Sequence, residues 1–451
     1  MRKSYFLLTP TEAAASDTHL AESPTGNSAA RILIASLAGT TIEFFDFYIY
    51  ATAAVLVFPQ LFFPASDPAT AALQSLATFA LAFLARPIGS AVFGHFGDRI
   101  GRKATLVAAL LTMGISTVGI GLLQTYAAIG TWAPALLALL RFGQGLGLGG
   151  EWGGAVLLAT ENAPPGKAAI YGMFPQLGAP LGFLCSTGVF LALASLLNDR
   201  QLFSWGWRLP FLASSLLVFV GLYVRLRLTE TPAFRRTIEH HERVRVPMLR
   251  LLSRHAPAVV LGTFAATATF VIFYLMTVFT LSWGTDALGF TRPHFLELQM
   301  IGVLCFAALI PVSAALAQKH GTLAVLSVAS VAIAVFGLTT GPLFGSGTTA
   351  ATLTYLCVGL ALMGLTYGPL GTALAELFPT EVRYTGASLT FNLAGIVGAA
   401  MAPAVAKWLA TTHGLAWVGY YLSAAGVVSL SAALAIRRRA LSPPPPPART
   451  L

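Results

Sequence analysis

The sequence predicts an all-α membrane protein whose twelve transmembrane helices form two six-helix repeats. Of the 451 residues, 56% are hydrophobic and only 10% are charged, against about 25% charged in an ordinary soluble domain. Because so few charges cannot cover a soluble surface, the exterior must face lipid. Two further observations support this fold class: a series of apolar stretches long enough to span a membrane, and short motifs that recur in the two halves.

The apolar stretches are each about 20 residues long, which is the length of helix that crosses a bilayer. An even number of spans places both termini on the same side of the membrane. The predicted spans are 32–58, 70–93, 104–124, 133–160, 168–194, 208–228, 256–282, 295–317, 322–340, 351–376, 385–410 and 415–436.

The distribution of positive charge predicts which side that is. Most of the 27 lysines and arginines fall in the segments that are cytoplasmic if the N-terminus is inside. The opposite loops hold only Arg200, Arg208 and Arg292. Since cytoplasmic loops are enriched in Lys and Arg, both termini are predicted to be cytoplasmic. The expected location is the bacterial inner membrane, with several passes through it.

The longest hydrophilic interruption follows the sixth span and divides the chain into two halves. The proline run at 443–447 cannot be helical, so the C-terminal end is predicted to be a tail. The predicted organisation is a cytoplasmic tail (1–30), a six-helix bundle (31–228), a cytoplasmic central loop (229–255), a second six-helix bundle (256–437) and a cytoplasmic tail (438–451).

Two motifs recur between the halves at equivalent positions. Residues 97–101, Gly-Asp-Arg-Ile-Gly, follow the second span, and residues 317–321, Ala-Gln-Lys-His-Gly, follow the eighth. Glu161 ends the fourth span just as Glu376 ends the tenth. Repeated halves are the usual construction of transporters that work by alternating access.

The loop after the second span resembles the signature loop of the major facilitator superfamily. Residues 94–103 read Gly-His-Phe-Gly-Asp-Arg-Ile-Gly-Arg-Lys. Other segments are similar to the metabolite:proton symporter family of that superfamily, nearest its shikimate-type branch. They are Glu-Phe-Phe-Asp-Phe-Tyr (43–48), Arg-Pro-Ile-Gly (86–89), Arg-Phe-Gly-Gln-Gly (141–145), Gly-Gly-Glu-Trp-Gly (149–153), Trp-Gly-Trp-Arg-Leu-Pro (205–210), Glu-Thr-Pro (230–232) and Glu-Leu-Phe-Pro-Thr-Glu-Val-Arg-Tyr-Thr-Gly (376–386).

This resemblance implies the major facilitator fold and proton-coupled uptake of a small metabolite. The family includes shikimate, α-ketoglutarate and proline/betaine symporters. The second copy of the signature loop departs from the pattern. It has Gln318 and Thr322 where charged residues are expected, so a charge cluster there is predicted to be weakened.

A few charged residues fall inside the spans, where each costs at least ~2.5–3.5 kcal/mol on insertion scales and so needs a partner or a function. Glu43 and Asp46 lie on the first span, three residues apart, a spacing that puts both carboxylates on one helix face. Arg86 lies in the inner half of the second span, and Arg141 and Glu151 lie in the fourth.

Glu43, Asp46 and Glu151 are the candidate proton carriers, because loss of hydration raises the pKa of a carboxyl group into a useful range. Arg86 or Arg141 is the candidate for binding an organic anion, since a guanidinium can hold a carboxylate bidentately. Competition of anion and carboxylate for one arginine would couple solute to proton. The alternative is that these charges pair only to fix helix packing.

Other residues are candidates for lining the substrate cavity or for the cytoplasmic gate. Glycines between 143 and 154 are predicted to allow close helix packing rather than to bind a nucleotide. The cavity candidates are Tyr48, Gln144, Trp152, Gln176, Tyr274, Tyr367 and Asn392. The gate candidates, which the resemblance supports, are Gly94, Asp98, Arg99, Gly101, Arg102, Lys103, Glu161 and Arg383.

Several partners are not expected. The formal charge of +10 is scattered through loops, which argues against nucleic acid binding. No histidine cluster has metal-ligand spacing, so neither a metal nor a cofactor is predicted. Cys185, Cys305 and Cys357 lie in apolar stretches and are predicted to be small core residues. The expected partners are the lipid bilayer, protons and a small organic solute, and the chain is expected to function as a monomer.

The function that the sequence favours is import of a small organic anion, a hydroxylated or cyclic monocarboxylate or a dicarboxylate, by a secondary active transporter that is not an enzyme. Import of a zwitterionic solute, an efflux carrier or facilitator on the same fold, and a nutrient sensor stay open as alternatives. A membrane enzyme would need a compact catalytic set at a membrane face, and the sequence has none.

Overall fold

The computed structural model describes residues 29–64, 67–100, 102–227, 247–379 and 382–441. Within these ranges the chain forms twelve long helices. They are α1 (Ala29–Leu56), α2 (Pro68–Ile100), α3 (Arg102–Leu122), α4 (Trp132–Gly149 and Trp152–Glu161), α5 (Ala168–Leu196), α6 (Arg208–Arg227), α7 (Ala256–Asp286), α8 (Arg292–His320), α9 (Thr322–Gly337), α10 (Thr349–Glu376), α11 (Arg383–Thr412) and α12 (Leu415–Leu441).

Short helices occupy several of the connections, and some long helices contain wider turns. The π-helical turns are Leu202–Gly206 before α6, Leu275–Phe279 within α7, Thr340–Phe344 after α9 and Ile396–Ala400 within α11. The short helices are Phe58–Phe62, Tyr126–Ile129, Asp199–Gln201 and Pro247–Arg254.

The start of α2 shows how the sequence sets a helix end. The carboxylate of Asp67 accepts hydrogen bonds from the backbone N–H groups of Ala69 and Thr70, each at 3.1 Å. Such a cap satisfies donors that have no partner within the helix. Hydrogen bonds from the side chain and backbone of Thr70 hold the pKa of Asp67 below its ordinary value.

The helices follow the predicted spans closely. The largest difference is α2, which continues to Ile100 although the predicted span ends at 93. A helix can run past the bilayer into water, where its hydropathy falls but its hydrogen bonding does not change. The fourth span was predicted as continuous, but α4 is interrupted between Gly149 and Trp152. The expectation that the cysteines are core residues is wrong for Cys185, which is exposed, and Cys305 and Cys357 are half-buried.

Seven of the described helices are individually long and apolar enough to cross a membrane, and the bent pair Asp199–Gly206 and Arg208–Tyr223 adds an eighth. Two others, Val107–Leu122 and Thr322–Gly337, are apolar but shorter. The remaining helices are α1, which has two carboxylates at its centre, and the interrupted α4. Large apolar side chains such as Phe219 of α6 and Val328 of α9 are exposed on the outer surface, as expected of a surface that faces lipid.

The two halves repeat the same packing. In the first half the closest helix pairs are α1 with α5, α2 with α4 and α3 with α6. In the second half they are α7 with α11, α8 with α10 and α9 with α12, so every pair recurs six helices later. The fold is therefore two six-helix bundles of the same construction. The domain limits predicted above stay a prediction.

The interface between the halves, which we call the seam, is formed mainly by α5 against α8 and by α2 against α11. We call the end of the bundle at which α1 begins the cytoplasmic end, after the predicted orientation. The gate candidates Gly94, Asp98, Arg99, Gly101, Arg102 and Lys103 lie outside the part of the chain whose side chains the structure describes.

Candidate functional site

A small cavity lies at the seam, about half-way along α1 and α2, and we call it the seam cavity. It encloses about 20 Å³, which is room for about one water molecule. Side chains from both halves line it. They are Glu43 and Phe44 of α1, Arg86 of α2, Leu148 and Trp152 of α4, and Phe391 and Asn392 of α11.

Arg86 and Glu43 give the seam cavity one charge of each sign. Both are buried, at 4% and 5% exposure. The Arg86 guanidinium lies over the rings of Phe47 and Phe83, at 4.5 and 4.8 Å from their centroids. Its Nε has no hydrogen-bond partner. A buried donor of this kind can receive an anion, because cation–π contacts stabilise the charge but leave the Nε–H available.

An aromatic layer from both halves lies beside the seam cavity. Tyr274 of α7 contacts three phenylalanines of the first half, with centroids 5.4 Å from Phe83, 5.6 Å from Phe79 and 6.5 Å from Phe47. Phe273 contacts Tyr48 and Phe183 in the same way. Three of these five contacts are edge-to-face, which is a favoured arrangement of aromatic rings, and the other two are tilted. The layer therefore closes the seam by contacts that separate when the halves move apart.

A polar contact also crosses the seam at the end opposite the cytoplasmic end. The Arg292 guanidinium at the start of α8 lies 2.8 Å from the carboxylate of Asp199, in the loop between α5 and α6. Asp199 is largely exposed. Exposed ion pairs contribute only about 0–1 kcal/mol, so this pair adds little to the closure that the aromatic layer provides.

Asp46 lies away from the seam cavity, in the interior of the first half. Thr117 of α3 places its Oγ1 3.4 Å from the Asp46 Oδ2 and 2.9 Å from the carbonyl oxygen of Met113. The Gln144 amide of α4 donates to Thr117 Oγ1 at 2.8 Å, and Arg141 donates to Gln144 Oε1 at 2.9 Å. We call these four residues the Asp46–Arg141 chain.

The Asp46–Arg141 chain is sealed from both water and lipid. Asp46 and Arg141 are both 0% exposed, and the Arg141 guanidinium lies 4.3, 4.0 and 5.0 Å from the rings of Phe47, Tyr50 and Phe79. The Oδ1 of Asp46 and two nitrogens of Arg141 lack hydrogen-bond partners. Unsatisfied buried groups are rare in folded proteins and require an explanation. Phe47 lies close to both Arg86 and Arg141 and so joins the chain to the seam cavity.

The break in α4, at Gly149 to Glu151, leaves backbone carbonyls that the helix does not use. The Ser90 hydroxyl of α2 donates to the Gly149 carbonyl, and the Asn392 amide of α11 donates to Ser90 Oγ at 2.7 Å and to the Gly149 carbonyl at 3.4 Å. The Tyr384 hydroxyl of α11 donates to the Gly150 carbonyl at 2.6 Å. The second half is thus hydrogen-bonded to the broken helix of the first.

Trp152 follows this break, and its ring is held on both sides. Its Nε1 donates to Gln176 Oε1 at 3.1 Å, and the Gln176 amide donates to the carbonyl of Tyr367 at 2.9 Å. The Trp152 ring stacks on Phe391, with centroids 3.6 Å apart and planes 11° apart. One wall of the seam cavity is therefore fixed by hydrogen bonds, while the opposite wall belongs to the other half.

A larger cleft of about 470 Å³ opens at the cytoplasmic end, between the start of α5 and the ends of α8, α10 and α12. The Gln318 amide donates to the carbonyl of Gly166 across the seam. The Thr322 hydroxyl donates to the Glu376 carboxylate at 2.8 Å. The two polar residues that replace charges in the second signature loop thus form hydrogen bonds instead of ion pairs, one of them between the halves.

Glycines on α2 and α4 bring those helices into backbone contact. A Cβ atom at Gly89 would overlap the carbonyl of Leu146, and one at Gly145 or Gly149 would overlap the carbonyl of Ala82 or Arg86. Small residues allow such close approach between helices in a membrane. The prediction that the glycines of the fourth span serve packing is confirmed.

Comparison with known proteins identifies the family. Residues 31–255 match the family model for sugar (and other) transporters. The chain is 56% identical to the inner membrane metabolite transport protein YhjE of Escherichia coli, over 90% of this chain and 94% of that protein. It is 34% identical to the shikimate transporter of the same organism, over 91% of this chain and 94% of that protein. This chain belongs to the metabolite:H+ symporter family of the major facilitator superfamily.

Solved structures of the same superfamily confirm the fold. The partially occluded inward-open form of the xylose transporter XylE from E. coli superposes with a TM-score of 0.71, at 17% identity, over 94% of this chain and 99% of that one. At this identity the likeness concerns the fold alone. As a member of the metabolite:H+ symporter family, the protein is a multi-pass membrane transporter of small solutes.

The structure distributes the predicted site residues of this family member over several places. Glu43, Arg86, Trp152 and Asn392 line the seam cavity. Asp46, Gln144 and Arg141 form the buried chain, and Tyr48 and Tyr274 belong to the aromatic layer. Glu151 is buried at the α4 break, Glu161 is exposed, and the Arg383 Nε donates to the Phe378 carbonyl within its own half.

Sequence reasoning missed residues that carry contacts at the site. Phe391 and Leu148 are apolar residues in apolar spans, so nothing in the sequence separates them from the core. Thr117 and Ser90 are single hydroxyls, which usually bond within their own helix. Tyr384 lies within segment 376–386, which resembles the family. Its hydroxyl group is the one feature of the sequence that could have identified it.

Proposed function

We propose that the protein is a proton-coupled importer of a small organic anion, which crosses the inner membrane by alternating access. The observation that carries this proposal is that a buried guanidinium and a buried carboxylate, Arg86 and Glu43, face one enclosed space between the two halves. A charge buried in a membrane protein is costly unless it serves a pathway. Both termini are cytoplasmic in this proposal, and the monomer is the working unit.

Arg86 binds the solute carboxylate in this mechanism. It lines the seam cavity and has an unpartnered Nε, whereas Arg141 is enclosed by three aromatic rings and Gln144. Glu43 faces the same cavity, so an incoming anion competes with it for Arg86. Protonation of Glu43 removes the competing charge. Proton binding therefore favours anion binding, which is the coupling that symport requires.

Asp46 is the second protonation site. A hydroxyl has one hydrogen and can accept two hydrogen bonds. Thr117 already accepts from Gln144, and its own hydrogen has a shorter contact to Met113 than to Asp46. A protonated Asp46 can donate to Thr117, whereas an ionised one must attract the Thr117 hydrogen away from Met113. The protonation state of Asp46 thus decides whether the Thr117 hydrogen points to Met113 or to Asp46, at one end of the chain whose other end, Arg141, shares Phe47 with Arg86.

The cytoplasmic gate includes the contacts between α11 and the α4 break. Opening toward the cytoplasm breaks the Tyr384 and Asn392 hydrogen bonds and separates Trp152 from Phe391. The signature loop, with Asp98, Arg99, Arg102 and Lys103, is proposed to assist by pairing with helix ends and carboxylates at the same end. Glu151, at the break, is proposed to relay protons to the cytoplasm.

Uptake in proteoliposomes tests the coupling. A pH gradient, acidic outside, is imposed, and uptake of a radiolabelled carboxylate that stabilises the purified protein is followed. Glu43→Gln and Asp46→Asn are expected to reduce gradient-driven uptake to background, because neither amide can release a proton. Exchange of internal for external solute should persist in both variants, since exchange needs no net proton movement.

Two controls accompany this test. Asn162→Gln changes an amide at the cytoplasmic end of α4 and should transport like the wild type. A protonophore should abolish accumulation by the wild type without changing exchange. Gradient-driven uptake of wild-type rate in both carboxylate variants would remove them from the coupling mechanism.

A zwitterionic solute is the second candidate, and a specific observation favours it. Arg86 and Glu43 give the seam cavity charges of both signs, which suit a solute that carries both. The chain is 29% identical to the proline/betaine transporter of E. coli over 92% of its length. If Glu43 binds an ammonium group, Glu43→Gln should abolish exchange as well as accumulation, which distinguishes this candidate from the first.

A further inference from the structure

We infer that the transported solute is a planar ring carboxylate, whose ring is held between Trp152 of the first half and Phe391 of the second. This inference rests on the proposed function, since it takes the seam cavity as the substrate site. It adds the planarity of the ring, which neither the charge pattern nor the comparisons provide.

The geometry of the Trp152–Phe391 pair carries the inference. The two rings are nearly parallel, 11° apart, with centroids separated by 3.6 Å. Phe391 meets its other aromatic neighbour, Phe270, at 4.9 Å and 65°. Aromatic pairs prefer offset or edge-to-face arrangements with centroids about 4.5–7 Å apart. A face-to-face pair is therefore weakly held and separates easily, and it presents two flat, parallel faces.

Each ring belongs to a different half, so the pair separates whenever the halves move apart. Trp152 is fixed in plane by its hydrogen bond to Gln176, whereas Phe391 moves with α11. The seam cavity encloses only about 20 Å³, so a six-membered ring enters only as Phe391 leaves Trp152. A flat ring that fills this gap regains a stacking contact on both faces. A puckered saturated ring cannot lie flush against either face.

Arg86 fixes the orientation of the ring. It lines the same cavity as both aromatic residues, and its buried Nε has no partner. A carboxylate on the ring edge can receive that N–H while the ring lies between the two aromatic faces. Phe44 and Leu148 add apolar lining, and the carboxyl group of Glu43 disfavours a second anionic group on the ring. The solute class is therefore a monocarboxylate on an aromatic or otherwise planar unsaturated ring.

Thermal unfolding of the purified protein, titrated with benzoate, cyclohexanecarboxylate, malonate and glycine betaine, tests the inference. Benzoate and cyclohexanecarboxylate have the same number of carbon atoms and the same charge but differ in planarity. A bound ligand raises the apparent unfolding temperature by mass action. Benzoate is expected to raise it at lower concentration than cyclohexanecarboxylate, malonate or glycine betaine.

Variants assign the preference to the ring pair. Phe391→Leu should weaken benzoate binding roughly 2- to 10-fold, the value of one aromatic contact, and leave cyclohexanecarboxylate binding unchanged. Phe391→Tyr keeps the ring and should keep the preference. Phe336→Leu makes the same change in a stack with Tyr355 that does not line the cavity, and it should also keep the preference.

The outcomes separate this inference from the proposed function. Equal or stronger stabilisation by cyclohexanecarboxylate or malonate overturns the planar-ring inference and leaves the anion proposal standing. Stabilisation by glycine betaine alone overturns both. No response to benzoate, or a preference that survives in Phe391→Leu, also overturns the inference.

Discussion

The first half of the molecule contains two buried arginine and carboxylate sites with opposite surroundings. Arg86 and Glu43 face the seam cavity, to which the second half contributes Phe391 and Asn392. Arg141 and Asp46 lie in a sealed interior and are joined through Gln144 and Thr117. Each site combines an arginine with a carboxylate, so in our proposal access to the seam decides their roles. The first pair can exchange partners with a solute, whereas the second can only respond to a proton.

The largest expected effect comes from comparing Arg141→Gln with Arg86→Gln. Arg141→Gln removes the donor to the Gln144 amide oxygen and the contacts with three rings, so the free energy of unfolding should fall by about 3 kcal/mol or more. Arg86→Gln should cost less stability but weaken anion binding by about 1.5–3 kcal/mol, roughly 10- to 150-fold. Denaturant unfolding and ligand titration of both purified variants check this.

A reversal of this pattern would break the comparison. If Arg141→Gln bound the anion far more weakly than Arg86→Gln and unfolded at wild-type denaturant concentration, Arg141 would be the substrate residue. The seam cavity would then not be the binding site in its present form.

An intermediate effect is expected from cutting the Asp46–Arg141 chain at Thr117. Thr117→Val keeps the shape of the side chain but removes the hydroxyl that connects Asp46 to Gln144. Each lost hydrogen bond costs about 0.5–1.5 kcal/mol, so gradient-driven uptake should slow several-fold while ligand affinity is unchanged. Initial uptake rates over a range of pH measure this.

Thr112→Val is the matched control for that variant. Thr112 is half-buried on the same helix, and its hydroxyl donates to the carbonyl of Ala108 rather than to Asp46. It should transport at the wild-type rate. An equal loss in the two variants would mean that the chain has a structural role only.

The smallest expected effect comes from the gate contact of Tyr384. Tyr384→Phe removes a hydrogen bond across the seam of about 1 kcal/mol, so the population open to the cytoplasm should rise several-fold. To measure this, Ala169→Cys is introduced in the cytoplasmic cleft of a protein without its three native cysteines. Its labelling by a thiol reagent is then followed in inside-out vesicles. Tyr420→Phe, on the outer surface, should not change the labelling rate. Unchanged labelling in Tyr384→Phe would exclude Tyr384 from the gate.

Much of the fold could be predicted from the sequence because the membrane imposes a strong pattern. Spans need about 20 apolar residues, and breaks between them are polar, so the helices fall within a few residues of the predicted limits. The repeat and the family motifs predicted two six-helix bundles. The interruption of α4 was not predictable, since a run of glycines is compatible with both a packed helix and a broken one.

The sequence identified residues of the candidate site, but it did not indicate how they are arranged. Buried charges identified Glu43, Asp46, Arg86 and Arg141 because each is costly in lipid. Sequence spacing could not separate the two pairs, because neighbouring helices decide whether a side chain reaches the seam or the interior. Phe391 was beyond prediction for a different reason. Its importance comes from facing Trp152 across 3.6 Å, a relation between two bundles that no local pattern records.

The glycine contacts between α2 and α4 have a consequence for redesign. Because these helices touch backbone to backbone, Arg86 and the α4 segment before the break form one rigid unit. No side chain larger than hydrogen fits at Gly89, Gly145 or Gly149. Substitutions that alter which solute is transported must therefore lie on the opposite side of the seam cavity, on α11. A library of substitutions around Phe391 should yield altered solute selectivity, whereas an equally large library in the α2–α4 contact should yield mostly misfolded protein.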